Sequence, residues 1–195
     1  MEIQDFLKEV LYQYQQKQYR KILNLNENSD NRIASKILWV WPSLKNLNFI
    51  KGELRRYGVK GVISIGCGCG LLEWIIQEHT GLPVIGYEIN REWWESKYSV
   101  PPFINLRYAD DEIQPKFDPE FAMMFCYFND GTTFRNYLQK YSGKIVLIIG
   151  PADGAGRHTA PEPFYPDFRT KNWRLISNQE VKDTKDFIAI YMKTK

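Results

Sequence analysis

The chain has 195 residues, 44% hydrophobic and 15% aromatic, with a formal net charge of +3. That length supports a full hydrophobic core, and that composition excludes disorder over most of it. A charge this small does not by itself argue for a nucleic-acid partner. The best apolar run is broken by Glu73, so no stretch is read as crossing a bilayer. The start, Met1 to Asp5, is acidic and lacks the apolar centre of a signal peptide. The three cysteines include Cys67 and Cys69, too close for an unstrained disulfide, and the two histidines, His79 and His158, lie far apart. No metal is therefore expected, no membrane partner, and an intracellular, cytoplasmic setting.

In chain order, Ile3, Phe6, Leu7, Val10, Leu11 and Tyr14 keep helical spacing and predict an amphipathic first helix. Asn24 to Asp30 reads as a polar turn. Ile33, Ile37, Leu38 and Trp41 share one face of a second helix, punctuated by Pro42. Leu44, Leu47, Ile50 and Leu54 predict a third that stops near Gly58. From Gly61 the pattern becomes strand, helix, strand. Strands are expected at Gly61–Ile65, Pro83–Glu88, Phe103–Arg107, Phe121–Cys126 and Lys144–Ile149, with closing strands at Trp173–Ser177 and Asp186–Met192. Helices are expected from Gly70 to His79 with Gly81 as its stop, from about Arg91, and from Asp130 or Thr132 to Gly143. This alternation predicts a doubly wound α/β sheet. One domain is expected over 1–195, with 1–58 as a helical N-terminal cap and 59–195 as the core. The Gly- and Pro-rich stretch from Gly150 to Lys171 has no helical period, and a connection of that length is usually functional or mobile.

The most informative stretch is Val62 to Ile76. A β-branched run enters Gly66-Cys67-Gly68-Cys69-Gly70, and a helix leaves it. Residues without Cβ let the chain turn sharply and let a ligand approach bare N–H groups, at the positive end of the following helix. Eighteen residues after Gly70, Glu88 ends a second apolar run. A carboxylate at that strand tip is placed to grip a ribose diol. Loop and acid together point to a nucleoside cofactor. A dinucleotide loop would need glycine at position 71, where this chain has Leu71, although a nicotinamide or flavin reading stays open.

These residues, with the closing strands, resemble the class I S-adenosylmethionine-dependent methyltransferases over roughly two thirds of the chain. Gly66, Cys67, Gly68, Cys69 and Gly70 match the glycine part of that family's first motif, and Glu88 matches its second-strand acid. Ala109-Asp110-Asp111-Glu112 is similar to its acidic loop, and the last two strands resemble its reversed seventh strand. The resemblance implies a Rossmann-like, mostly parallel seven-stranded sheet with an antiparallel last strand, and S-adenosylmethionine as cofactor. Gly66, Cys67, Gly68 and Gly70 would cradle the methionine portion, and Glu88 the ribose. Ile89 would pack on adenine, with Asp110 and Asp111 at its edge. Two departures stand out. The acid of the family's first motif is Ser64 here, so the methionine end is either held more weakly or compensated from elsewhere. The fourth motif reads Phe125-Cys126-Tyr127-Phe128-Asn129-Asp130, unlike the Asn-Pro-Pro-Tyr form of enzymes that methylate base amino groups.

On the acceptor side, Tyr127 would border the reactive sulfur, and Asp130 and His158 are the candidate catalytic groups. The alternatives are plainer. Glu88 would cap the next helix, Asp110 and Asp111 would be solvated loop acids, and Cys67 and Cys69 small core fillers. Asn129, Asp130 and Asp153 form a weak divalent-ion set, and His79 is read as structural at a helix C-terminus. Trp39, Trp41, Trp93 and Trp94 either line a pocket or pack the core. The basic groups Lys17, Arg20, Lys21, Arg55 and Arg56 read as a solvated face, with RNA or phosphate contact as the weaker alternative. The expected activity is methyl transfer to an unidentified acceptor, a small molecule being favoured over a protein or RNA. A non-catalytic S-adenosylmethionine-binding sensor or assembly subunit is the alternative.

Overall fold

Strand β1 (Gly61–Ile65) is buried at every position, as a strand covered on both faces must be. It is the hinge of the architecture. A computed structural model describes residues 3–27, 31–108 and 116–194. Parallel to β1 on one side runs β2 (Val84–Glu88), with Ile63 opposite Ile85, and beyond it β3 (Leu106–Tyr108). On the other side runs β4 (Phe121–Cys126), with Ile63 opposite Met123, then the wholly buried β5 (Ile145–Pro151). Strand β7 (Asp186–Lys193) lies antiparallel between β5 and β6 (Trp173–Glu180). The seven-stranded order is β3-β2-β1-β4-β5-β7-β6, so the chain reverses its winding at the gap between the ends of β1 and β4. The fold is the mostly parallel Rossmann-like sheet with an antiparallel last strand that the sequence predicts.

Alternation along each strand splits the core into two layers. Val62, Met124, Leu147 and Ile190 face one layer, and Ile63, Phe125, Ile148 and Tyr191 the other. The first layer receives α1 (Ile3–Gln15), α2 (Tyr19–Glu27), α4 (Leu44–Arg56) and α5 (Leu71–Thr80). The second receives α7 (Gly131–Lys140) through Phe134 and Leu138. Helix α1 buries Phe6 and Val10, and the Tyr14 ring meets Trp74 of α5 edge-on at 4.8 Å. Asn46 ties α4 to the sheet. Its Oδ1 accepts from Ser43 N–H and Oγ–H at the helix start, and its Nδ2 donates to Gln179 and to the Glu180 carbonyl.

Several local expectations are corrected. The polar segment from Asn24 enters helix α2, because burying Ile22, Leu23 and Asn26 outweighs the poor propensity of its asparagines. The helix expected across Ile33–Trp41 is only the single turn α3 (Asn31–Ala34). Pro42 disfavours helical geometry at the residue before it, and the Trp41 indole donates to the Ala34 carbonyl at 3.1 Å. The helix at Arg91 is one turn, α6 (Arg91–Trp94). Strand β3 starts three residues later than the Phe103 expected for it (Leu106 against Phe103), because Phe103 is buried and its N–H bonds Cys69. Helix α7 stops at Lys140, before Gly143, because the Tyr141 phenol turns inward to donate to Phe121 and Ile145 carbonyls. The stretch from Gly150 is tacked down: Ala160 N–H bonds the Phe128 carbonyl, Tyr191 reaches Pro163, and Thr159 is buried.

Removing the Asn46 side chain should therefore cost about 2 kcal/mol, from the lost cap and the orphaned sheet contacts. Urea unfolding of Asn46→Ala should show a lower midpoint with an unchanged slope; an unchanged midpoint would mean that this clamp contributes nothing.

Candidate functional site

The loop from Gly66 to Gly70 sits where the winding reverses, outside the carboxyl end of β1. Gly66, Gly68 and Gly70 all hold positive φ, at 70°, 61° and 77°. These are left-handed conformations that other side chains rarely adopt. The loop is sewn to β2 at its start, since the N–H groups of Gly66 and Cys67 both donate to the Tyr87 carbonyl. Its crest is held by Glu88, whose Oε1 accepts from Gly68 N–H at 2.6 Å and whose Oε2 accepts from Ile89 N–H at 3.1 Å. Burial pushes the Glu88 carboxyl up, against the pull of those hydrogen bonds. The next helix is capped by Asn90, whose Oδ1 accepts from Trp93 N–H, so Glu88 turns to the loop and not to α6. Ile89 is 65% exposed beside it. Asp110 and Asp111 lie outside the described residues.

A second carboxylate lies underneath. Glu73, in the first turn of α5, is 1% exposed. Its Oε1 accepts from Ser64 Oγ–H at 2.6 Å, and its Oε2 is buried with no hydrogen-bond partner. Burial pushes its pKa up to about 7. Glu73 lines a cleft of about 410 Å³, counted out to its open side, together with the loop, Cys126, Tyr127 and the Leu38-Trp39 segment. In the sequence Glu73 stands only as a break in an apolar run. The signal was there: it is the only charge between Leu71 and Ile76, all of which are buried. Burial also keeps the cleft thiols protonated, with Cys69 pushed up to about 12 and Cys67 and Cys126 raised as well. A protonated thiol is a poor nucleophile.

Beyond β4, Tyr127 adopts φ 50°, unusual for a bulky residue, and its phenol donates to Asp186 at 2.7 Å. Asp186 is 3% exposed and also meets Arg157 at 3.3 Å. Burial and the Asp186 charge raise the Tyr127 phenol, so it stays protonated and donates. Trp39 stacks on Tyr127 with centroids 5.6 Å apart, although the indole itself is exposed. Of the four tryptophans singled out, Trp39 is thus the one at the mouth of the cleft, while Trp41 is buried against Phe6. Trp94 approaches Gly68, and Trp93 is exposed.

The fold lays the segments of the candidate catalytic groups side by side, with Asn129 bridging Ala160, but the Asp130 and His158 side chains are engaged away from the cleft. Asp130 is solvent-exposed and caps α7, accepting from Thr132 and Thr133, which hold its carboxyl below the usual range. His158 is exposed and pairs with Glu162 at 3.0 Å. Neither lines the cleft that holds Tyr127. His79 bonds Tyr19 and Asn48, a helix-to-helix tie. Lys17, Arg20, Lys21, Arg55 and Arg56 are all exposed. Among the described residues, no three His, Cys, Asp or Glu side chains converge to hold a metal, and no helix is long and apolar enough to cross a membrane.

No family model matches the chain, and no curated protein matches it in sequence. Solved structures do match its fold. A mutant of MtNAS aligns with a TM-score of 0.59 at 14% identity, over 99% of this chain and 75% of that one. An O-methyltransferase from Bacillus cereus, solved with SAH, aligns with a TM-score of 0.52 at 15% identity, over 97% and 91%. Magnesium protoporphyrin IX methyltransferase from Synechocystis PCC 6803, with bound SAH, gives 0.50 at 10% identity, over 77% and 83%.

The Glu73 carboxyl gives a pH signature. Its folded pKa of about 7 lies above an ordinary carboxyl, so the folded state holds the proton longer than the unfolded one. Stability should fall as pH rises from about 4.5 to 7 and then level off, by up to about 3 kcal/mol from this group. Glu73→Gln should flatten that part of the profile in thermal melts; identical profiles for both proteins would contradict the assignment. With its glycine loop and strand-tip acid at the winding reversal, the chain has the fold of the class I S-adenosylmethionine-dependent methyltransferases.

Proposed function

We propose that the protein binds S-adenosylmethionine in the crevice above β1 and transfers its methyl group to an acceptor, with a small molecule favoured. The observation that carries this reading is the 2.6 Å hydrogen bond from Gly68 N–H to Glu88. It sets a carboxylate and a bare loop within one ligand's length, at the point where doubly wound sheets take nucleotides. The residues fit the group. Gly66, Cys67, Gly68 and Gly70 would cradle the methionine portion, Glu88 would exchange its loop amide for the ribose hydroxyls, and Ile89 would cover the adenine. The two aligned methyltransferases were each solved with SAH, which supports the same donor here.

Bound there, the donor supplies a methyl already made electrophilic by its sulfonium. The chain's task is then alignment more than chemistry, and orientation alone is worth up to about 7–11 kcal/mol. Tyr127 suits that task. Its strained backbone and its bond to Asp186 fix the ring at the cleft wall, where it would border the sulfur. Trp39, stacked on it from the N-terminal segment, would close the acceptor side. His158 and Asp130, exposed on the loops beyond, would act on an acceptor only after loop movement. That separation is also what favours the second reading, a donor-binding sensor or assembly subunit without turnover.

Calorimetric titration with S-adenosylmethionine and S-adenosylhomocysteine tests the proposal. Both should bind, and Glu88→Ala should weaken them by at least about a hundredfold, the worth of charge-assisted hydrogen bonds to two hydroxyls. Equal affinity in wild type and variant would remove Glu88 from the site. Binding without turnover across broad acceptor screens would select the sensor.

A further inference from the structure

One buried group has no task in the reading above. Glu73 Oε2 is fully buried in the cleft wall and makes no hydrogen bond. An orphan carboxylate oxygen in a well-packed interior is costly and calls for an explanation, and one that borders a cleft is placed to be completed by what the cleft binds. Its neighbours cannot complete it. Ser64 spends its proton on Oε1, Cys67, Cys69 and Cys126 are weak donors held neutral, and Glu88 is itself an acceptor. A glutamate at this third helical position commonly folds back onto its helix start. Here it instead reaches inward to the end of β1, to the position where the resembling family carries its strand acid and this chain carries Ser64.

We infer that Glu73 receives the α-ammonium group of the donor's methionine end, supplying from helix α5 the negative charge that Ser64 leaves missing on β1. This rests on the donor reading proposed above. The rest of the zwitterion is provided for as well. The donor's carboxylate would face the positive end of α5, a ten-residue helix that starts at the same loop. A cation brought to Oε2 satisfies the orphan atom and pairs a charge that would otherwise stay buried and uncompensated.

The test compares two ligands that differ in that end alone. S-adenosylhomocysteine has the ammonium, and 5′-methylthioadenosine has the adenosine and sulfur without it. Calorimetry on the intact chain should show Glu73→Gln weakening S-adenosylhomocysteine at least tenfold while methylthioadenosine stays within twofold. Ser64→Asp combined with Glu73→Ser should restore much of the loss by returning the charge to the strand. A measurement on the wild type guards against a variant that folds poorly. In buffers of different ionisation enthalpy near pH 7, S-adenosylhomocysteine should release a fraction of a proton more than methylthioadenosine does. The groups facing Glu73 are Ser64 on β1, Cys67 and Cys69 in the loop, Glu88 at the tip of β2, and Cys126 and Tyr127 at the end of β4. The thiols and phenol stay protonated there, and Glu88 serves the ribose common to both ligands, so the difference reports Glu73. Equal weakening of both ligands, unchanged S-adenosylhomocysteine affinity in Glu73→Gln, or equal proton release would overturn the inference while leaving donor binding standing. Failure of both ligands to bind the wild type would overturn the donor reading and the inference with it.

Discussion

The site depends on one hydrogen bond across a topological seam. Gly68 N–H and the Glu88 carboxylate belong to different crossover units, and they meet only because β1 and β2 run parallel in a register that brings Ile65 level with Tyr87. The Tyr87 carbonyl anchors the start of the loop, and the next residue along β2 anchors its crest. A register slip of one residue would turn every side chain of β2 to the opposite layer and dissolve both contacts. The buried strands that enforce the register therefore also shape the crevice.

Charge in this crevice is sparse and arranged by depth. Glu88 lies near the rim, half-buried and saturated with backbone donors. Glu73 lies at the floor with one oxygen satisfied. Three thiols and a phenol surround them in protonated form. The Tyr127–Asp186–Arg157 chain closes the far wall, with its only net pair partly shared with solvent at Arg157. In that wall the phenol donates and the Asp186 carboxylate is already paired, so neither is free to act as a base. This arrangement favours a reaction whose reactivity arrives with the donor.

Much of this was legible in the sequence where two signals agreed. The exact spans of β1 and β4 followed from apolar runs bounded by turn residues, and the loop from three glycines at alternate positions. Glu88 was readable because its place at the end of an apolar run is a place in the sheet. What was not readable was set by contacts distant in sequence. Helix α2 carries too many asparagines to announce itself and exists because Ile22 and Leu23 are buried under the rest of the cap. The expected helix through Trp41 fails because an indole and a proline act together across nine residues, Ala34 to Pro42. Glu73 was visible as an interruption, but its bond to Ser64 links a helix to a strand, and no periodicity encodes that. His158 and Asp130 are reactive side-chain types near strand ends in the sequence, but the loops turn them to solvent.

The seam between loop and strand tip is proposed as an adenosyl site. A crystal structure grown with S-adenosylhomocysteine measures this most directly. Ligand density is expected above β1, with both Glu88 carboxylate oxygens within hydrogen-bond distance of the ribose hydroxyls. Density elsewhere, or a crevice in which Glu88 still holds Gly68 and no ligand lies above it, would contradict it.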